Sequence, residues 1–133
     1  MKKDMSAASP RKTGCPVAFS LDVLGDRWSL LIVRDMLVGG ASTYGDFMCG
    51  GEGIATNILA NRLKGLTDAG IVEKHRDETN RRKYRYTLTQ KGCELVPIVL
   101  SLMNWGAKYD PETRATPEIL KKVTAKLDME FSK

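Results

Sequence analysis

The sequence predicts a mainly α-helical fold with one small β-hairpin, of the α+β class. Apolar residues recur at helical spacing along most of the chain, and the period shortens to about two only between residues 71 and 88. A length of 133 residues, with 42% hydrophobic and 28% charged residues, suits one globular domain that can bury its own core. Glycine and proline separate the periodic segments, so the elements can be placed in order.

The first two predicted helices come before a glycine pair at residues 39–40. One helix covers Pro16–Leu24, where apolar residues lie at helical spacing and a glycine follows the last of them. The second extends from about Arg27 to Val38, and Asp26 can cap its start. Because the second helix is apolar on most sides, we expect it to lie in the core.

Two further helices are predicted on either side of a glycine-rich break at residues 49–53. Ser42 or Thr43 can cap a short third helix that carries Tyr44. The fourth helix extends from about Ala55 to Ala69, with its apolar residues along one face and a glycine after its end. A short helix and a longer one, joined by this break, are typical of a helix-turn-helix.

A β-hairpin follows the fourth helix. Ile71–Arg76 and Lys83–Leu88 are predicted as strands, and Asp77–Arg82 forms the tip between them. The last three of these four helices and the hairpin follow the order of a winged helix-turn-helix, in which the hairpin is the wing. In such a fold the helix before the wing, here the fourth, enters a groove of DNA.

Helical periodicity returns after the hairpin. A long helix is predicted from Gln90 to about Tyr109, capped by Thr89, and Pro97 inside it should kink or step it. Thr116 and Pro117 then begin a last helix whose apolar residues recur every four positions. The long segment has more apolar surface than a two-stranded wing can cover, so these helices need a partner.

The fourth predicted helix has a polar stripe opposite its apolar face. A solvated surface helix would normally carry glutamate and lysine, but this helix has no carboxylate before Asp68. Asparagine can pair with adenine and threonine can contact the thymine methyl group, so the stripe fits base recognition, or else a hydrophilic face without a partner. The stripe, with an arginine to its side, consists of Thr56, Asn57, Ala60, Asn61, Arg62 and Lys64. Thr43 and Tyr44 are predicted contacts at the entry to the helix-turn-helix.

Positive charge is concentrated on the wing. The chain has a net charge of +5, and residues 74–85 contain six lysines and arginines against two acidic residues. Guanidinium groups at a loop tip suit phosphate contact or a narrow minor groove, although charged hairpin tips are often only solvated. The cations lack matching anions and follow a candidate recognition helix, which favours DNA contact. The predicted wing contacts are Arg76, Arg81, Arg82 and Lys83.

Several other classes of protein are excluded or disfavoured. The three cysteines are widely spaced and the single histidine is His75, so we expect no disulfide framework, metal site or cofactor. One histidine, with no phosphate loop and no paired carboxylates, argues against an enzyme. No apolar run approaches the ~20 residues that span a bilayer, and no secretory signal follows the charged N-terminus. We therefore expect a cytoplasmic protein with no membrane partner.

Several short motifs occur in order along the chain. They are Cys15-Pro16, Leu21 to Gly25, Arg27-Trp28, Gly53-Ile54, Arg62 to Leu66, Ala69 to Val72, Tyr86 to Gly92 and Trp105-Gly106. With these motifs, residues 15–106 resemble the HxlR-type regulators, a bacterial branch of the winged-helix transcription factors related to MarR proteins. The sequence departs from the family pattern where Gly51 and Glu52 replace an apolar residue and a proline, where Asp26 replaces glycine, and in a wing without prolines.

The resemblance implies a homodimer that binds a pseudo-palindromic operator in double-stranded DNA, with repression as the commoner mode. The dimer contacts would come from the first helix and the helices after the wing. The chain then divides into a flexible tail (1–14), a winged helix-turn-helix with a long post-wing helix (15–109) and a C-terminal dimerisation helix (110–133). The alternative is a winged-helix protein-interaction module with no role in DNA binding.

An effector is also implied by the resemblance. In some members of the family, the cysteine that matches Cys15 senses oxidants or electrophiles. Cys15 is therefore either such a sensor or a small residue packed at the dimer interface. Release from DNA by a small molecule is a further possibility that the family allows.

Overall fold

The computed structural model describes residues 13–131, and residues 1–12, most of the predicted tail, lie outside the described range. Seven helices and two strands occur in these residues. They follow the predicted order, with two helices in place of the long one predicted after the wing. They are α1 (Pro16–Leu24), α2 (Ser29–Gly39), α3 (Tyr44–Met48), α4 (Thr56–Asp68), β1 (Val72–Arg76), β2 (Tyr84–Leu88), α5 (Gln90–Cys93), α6 (Val96–Tyr109) and α7 (Pro117–Phe131). The mainly helical fold class with one hairpin is confirmed. None of the helices in this range is long and apolar enough to cross a membrane.

The start of α2 differs slightly from the prediction. Asp26 accepts hydrogen bonds from the backbone N–H groups of Trp28 and Ser29, at 2.9 and 3.0 Å, and from the Ser29 hydroxyl at 2.6 Å. These bonds hold residues 26–28 as a turn, so the regular helix begins at Ser29 rather than at Arg27. Asp26 therefore satisfies backbone donors at the helix entry, as predicted, from a position outside the helix itself.

A capping box defines the start of α3. The Thr43 hydroxyl accepts a bond from the Asp46 backbone N–H at 3.2 Å, and the Asp46 carboxylate accepts from the backbone N–H groups of Ser42 and Thr43. The cap is thus Thr43 rather than Ser42. In the loop that follows, Gly51 and Gly53 have φ angles of +91° and +76°, which only glycine adopts without strain. The glycine-rich break therefore sets the direction in which α4 begins.

The wing is antiparallel, with Val72 opposite Leu88 and Arg76 opposite Tyr84. The backbone N–H of Tyr86 donates to the carbonyl of Ser42 at 2.8 Å, so the segment before α3 lies beside β2. Ile71, predicted as the first residue of β1, instead donates its N–H to the Leu66 carbonyl and completes the end of α4. The base of the wing is therefore fixed to the helix-turn-helix on both strands.

The kink or step predicted in the helix over residues 90–109 occurs as a step just before Pro97, which divides the segment in two. The structure has two helices, α5 and α6, because the chain steps at Glu94 and Leu95. Pro97 lies in the first turn of α6, where its missing N–H has no intrahelical partner to lose. Gly92 in α5 packs so closely that a Cβ there would collide with the Ile71 carbonyl oxygen. The step thus brings α5 against the start of the wing, and α6 begins as a separate helix that ends at Tyr109.

The core lies between α2, α4, the base of the wing, α6 and α7. Its fully buried side chains include Val33 of α2, Leu59 and Leu63 of α4 and Leu127 of α7. Each such side chain contributes roughly 1.5–3 kcal/mol by leaving water. The Lys126 ammonium also donates to the carbonyl of Val38 at 3.0 Å, near the C-terminal end of α2. The last helix is consequently part of the same packed unit as the helix-turn-helix.

Candidate nucleic-acid interface

The predicted polar stripe of α4 lies on the exposed side of the helix. Leu59, Leu63 and Leu66 are buried, with 2% or less of their surface exposed, so the opposite face of α4 points away from the core. The exposed members of the stripe are Thr56, Asn57, Ala60, Asn61 and Lys64. Lys64 pairs with Asp68 one turn later at 3.0 Å, with both side chains largely exposed. The stripe is therefore accessible along its whole length.

Arg62, the sixth predicted residue on α4, is held within the protein. Only a third of its side chain is exposed, and its Nε donates to Oδ2 of Asp26 at 2.8 Å. Its Nη1 donates to the side-chain oxygen of the neighbouring Asn61. The prediction that Arg62 contacts DNA is not tested by this geometry, but the structure assigns it two partners that the sequence did not indicate.

The Asp26 carboxylate joins the start of α2 to α4. It accepts bonds from Trp28 and Ser29 of the α2 entry and from Arg62 of α4. Partial burial alone would raise its pKa, but the hydrogen bonds from Ser29, Trp28 and Arg62 outweigh burial and leave the pKa of Asp26 below its ordinary value. Asp26 is therefore ionised at neutral pH and fixes Arg62 as a charged partner.

The two residues predicted at the helix-turn-helix entry have structural contacts. The Thr43 hydroxyl is used as the α3 cap. Tyr44 is half-buried, and its ring lies 6.2 Å from that of Tyr86 in β2. Both residues sit beside the wing, where the α3 entry meets β2, and their contact with DNA stays a prediction.

A buried aspartate anchors the wing. Asp77 is 6% exposed, and its Oδ1 accepts bonds from the backbone N–H and the hydroxyl of Thr79, both at 2.9 Å. These bonds hold the pKa of Asp77 below its ordinary value. Its Oδ2 accepts from Nε of Arg85 at 3.1 Å, and its backbone N–H donates to the carbonyl of Lys83 at 2.9 Å. The tip therefore has a defined shape, closed by one residue that the sequence marked only as a turn former.

The wing cations divide into two groups. Arg85 bridges Asp77 and the Ser42 hydroxyl, which ties the wing to the helix-turn-helix. Arg76 lies over the Tyr84 ring at 4.8 Å, donates to the Tyr84 hydroxyl at 2.8 Å and also donates to the carbonyl of Arg81. The side chains of these two arginines are therefore engaged by other residues of the protein.

The remaining tip cations are Arg81, Arg82 and Lys83, which are exposed. Within residues 13–131, no ion pair or hydrogen bond engages their side chains. The backbone bonds of the same segment, from Lys83 to Asn80 and from Arg82 to the Asn80 side chain, hold the tip in place. The three side chains therefore extend from a fixed backbone as unpaired positive charges, which is the electrostatic requirement for phosphate contact.

Exposed apolar side chains also occur on α6 and on α1. Four apolar side chains of α6 follow one another at spacings of four, three and four residues, and we call them the α6 stripe: Ile98, Leu102, Trp105 and Tyr109. They are 40% to 68% exposed, and the Trp105 and Tyr109 rings contact each other in a tilted arrangement, with their centroids 5.4 Å apart. Val17 and Leu21 of α1 are similarly exposed, at 65% and 61%. Exposed apolar groups of this size, in register on a helix, are typical of a protein interface.

Comparison with protein families identifies the chain. The model of the HxlR-like helix-turn-helix family matches residues 23–114, which span α2 to α6 and the wing. The chain belongs to the HxlR-like helix-turn-helix family. The resemblance in the sequence motifs is thereby confirmed.

Individual HxlR-like relatives agree. The chain is 35% identical over 97 residues to the uncharacterised HTH-type transcriptional regulator YybR of Bacillus subtilis, covering 73% of this chain and 77% of YybR. It resembles the crystal structure of PA1607, assigned as a candidate transcription factor, with a TM-score of 0.70 and 38% identity, over 79% of this chain and 73% of that one. It also resembles the oxidised form of the redox regulator HypR, with a TM-score of 0.61 and 33% identity, over 71% of this chain and 96% of HypR.

As a member of this HxlR-like family, the chain is a transcriptional regulator built on a DNA-binding helix-turn-helix. The relatives that it matches are regulators rather than enzymes. The exposed stripe lies on α4 and the exposed tip cations lie on the wing, which are the two elements predicted from the sequence to contact DNA. Sequence reasoning missed Asp26 as a partner of Arg62, and Asp77 and Arg85 as the anchor of the wing.

Proposed function

We propose that the chain is a homodimeric repressor that binds a pseudo-palindromic operator in double-stranded DNA. α4 lies in the major groove with Thr56, Asn57 and Asn61 towards the bases, and Lys64 contacts phosphate. The wing tip reaches the neighbouring minor groove or its phosphates. The observation that carries the proposal is the pairing of an exposed, carboxylate-free stripe on α4 with three exposed, unpaired cations on the wing.

The α6 stripe supports the homodimer. Trp105 and Leu102 are 68% and 52% exposed although they lie on an apolar helix, and Val17 and Leu21 of α1 are exposed as well. A second copy of the chain would cover these side chains. Obligate interfaces bury on the order of 2,000 Å² or more, which several large apolar groups on two helices can help to supply. A homodimer that reads a pseudo-palindromic operator needs its two copies of α4 in successive major grooves, ~34 Å apart.

The alternative is a winged-helix module that binds another protein and not DNA. Such a module has no need for unpaired arginines beside an asparagine-rich helix. Retention on immobilised random DNA that falls steeply as salt rises would favour the DNA-binding function. Retention that does not depend on salt would favour the protein-interaction module.

The Asn57→Ala variant tests the proposed function at the base-reading step. Within the described residues, the Asn57 side chain has no hydrogen-bond partner, so its amide is available to a base. The variant is expected to weaken operator binding by ~1–3 kcal/mol, because one bidentate pair with a base is lost. Titrations on the operator and on random DNA of the same length measure the loss of affinity. Equal losses on both would mean that Asn57 touches only the backbone and does not read sequence.

We further propose that Cys15 is the site where oxidants or electrophiles release the protein from DNA. Cys15 is exposed and occupies the N-cap position of α1, next to Val17 of the proposed dimer surface. The similarity to the redox regulator HypR supports this assignment. A modification at Cys15 would then act on the dimer rather than on α4 directly. A small-molecule effector is the other form of release that we consider.

The Cys15→Ser variant is expected to bind the operator as the wild type does and to resist release by diamide. Serine keeps the size and hydrogen-bonding capacity of the residue but cannot form a disulfide. Cys49→Ser is the matched control, because Cys49 is also exposed but lies at the end of α3. Fluorescence anisotropy of labelled operator, with and without diamide, measures the release. Unchanged release in Cys15→Ser would exclude Cys15 as the sensor.

A further inference from the structure

Three residues form a continuous chain of contacts from the start of α2 to the exposed stripe of α4. The Asp26 carboxylate is fixed by Trp28 and Ser29, and it accepts from Nε of Arg62 at 2.8 Å. Nη1 of Arg62 in turn donates to the side-chain oxygen of Asn61. Arg62 is one-third exposed, whereas Asn61 is an exposed member of the stripe. The orientation of one base-facing side chain is thus set by a carboxylate 35 positions earlier.

The chemistry of these groups fixes which edge of the Asn61 amide is left for DNA. A guanidinium carries only donors, so the group that meets it must be the amide oxygen and not the NH2. A bidentate pair with adenine needs both edges, with the oxygen accepting from N6 and the NH2 donating to N7. The bond from Arg62 uses one of the two lone pairs of the Asn61 oxygen and holds that oxygen towards Arg62, so the NH2 is the edge that stays wholly available to a base. Acceptors without an adjacent donor belong to guanine, at N7 and O6, and to thymine, at O4.

We propose that Arg62 is a positioning residue rather than a DNA contact, and that the Asp26–Arg62–Asn61 chain makes Asn61 a donor that selects guanine or thymine over adenine. This inference rests on the proposed function and adds a specificity rule to it. Asn57 lacks such a partner within the described residues and keeps both edges of its amide. The two asparagines of one stripe therefore read different bases.

The test compares Arg62→Met with Lys64→Met. Each variant removes one positive charge from α4, and methionine keeps a long unbranched side chain. Each protein, as the full chain, is used to select binding sites from a DNA library randomised over the operator length. For Arg62→Met, one position in each half-site should shift from guanine or thymine towards adenine by roughly 5- to 150-fold, the range that one bidentate pair spans. Lys64→Met should keep the wild-type preference and bind all sequences more weakly, with a smaller dependence on salt.

A merely structural or phosphate-binding role for Arg62 gives a different result. Arg62→Met would then select the wild-type sequence, with affinity and salt dependence lowered on all DNA alike, and the inference would be overturned. Asp26→Asn provides a second variant, because asparagine keeps an oxygen for the α2 entry but loses the charge that holds Arg62. It should shift the same base position in the same direction, and an unchanged preference there would also count against the chain of contacts.

A measurement without DNA separates this inference from the proposed function. The side-chain NH2 signals of Asn61 in a ¹H–¹⁵N spectrum should move in Arg62→Met and in Asp26→Asn, and stay in place in Lys64→Met. Unmoved signals together with a clear wild-type operator would overturn the inference alone. A wild-type protein that selects no sequence would overturn the proposed function itself.

Discussion

Replacing Trp105 with glutamate is expected to dissociate the homodimer and to weaken operator binding by roughly 100-fold or more. Trp105 is the most exposed member of the α6 stripe, at 68%, and its ring packs against the tilted ring of Tyr109. A carboxylate at the centre of an apolar interface would lose its hydration without gaining a partner, at a cost of several kcal/mol. Each freed subunit would then hold only one half-site, and linked binding of two modules typically raises affinity by 10²–10⁴.

Trp105→Phe is the matched control, since it keeps an aromatic ring that can pack across the two-fold axis. Sedimentation velocity at micromolar concentration should give a dimer of 14.7 kDa subunits for the wild type and Trp105→Phe, and a folded monomer for Trp105→Glu. Anisotropy titrations on the operator measure the accompanying loss of affinity. A wild-type protein that sediments as a folded monomer would contradict the proposed dimer, as would a Trp105→Glu variant that remains dimeric.

The wing should contribute most to the salt dependence of binding. Replacing Arg81 and Arg82 with alanine removes four exposed cations from a dimer, and among residues 13–131 no side chain pairs with them. If all four meet phosphates, the slope of log affinity against log salt should fall by roughly 3–4, because each neutralised phosphate contributes ~0.9. Affinity should fall on operator and random DNA alike. An arginine in a narrow A·T-rich minor groove would add a further loss on sites with an A-tract at that flank.

A double substitution elsewhere controls for the change in net charge. Lys121→Ala with Lys122→Ala also removes four positive charges from a dimer, but from exposed positions of α7. Salt titrations of both double variants on both DNAs should show the lowered slope only for the wing variant. A wing variant whose slope is unchanged on both DNAs would show that the tip is a solvated hairpin with no part in binding.

The local elements could be predicted because their signals are local. α1 has the predicted bounds, Pro16–Leu24, since spacing and a terminal glycine lie in one short segment. Both wing strands begin one residue later than predicted, β1 because the Ile71 N–H bonds to Leu66 at the end of α4 and β2 because the Lys83 N–H bonds to Asn80 in the turn. The step predicted in the segment 90–109 occurs, but the sequence did not decide between a kinked helix and two separate helices. Pro97 is as compatible with a first turn as with a kink, and the packing of Gly92 on Ile71 decided between them.

The roles of individual charges could not be predicted in the same way. The sequence shows six cations in residues 74–85 but not that Arg85 is bound by Asp77 and Ser42, or that Arg76 is engaged by Tyr84. Likewise, Arg62 and Asp26 lie 36 positions apart and meet only through the packing of α4 against α2. A charge pattern therefore indicates where an interface lies, whereas the three-dimensional contacts determine which cations remain free for a partner.

The most direct test of the whole account is selection of bound fragments by the purified, full-length protein from genomic and randomised DNA, followed by sequencing. We expect enrichment of an inverted repeat whose half-sites are centred about 10–10.5 base pairs apart, the spacing that two α4 helices of a dimer would impose. Its half-sites should include an adenine for Asn57 and a guanine or thymine for Asn61. Recovery of fragments without any shared sequence, or of a single unrepeated site, would contradict a homodimer that reads DNA through α4.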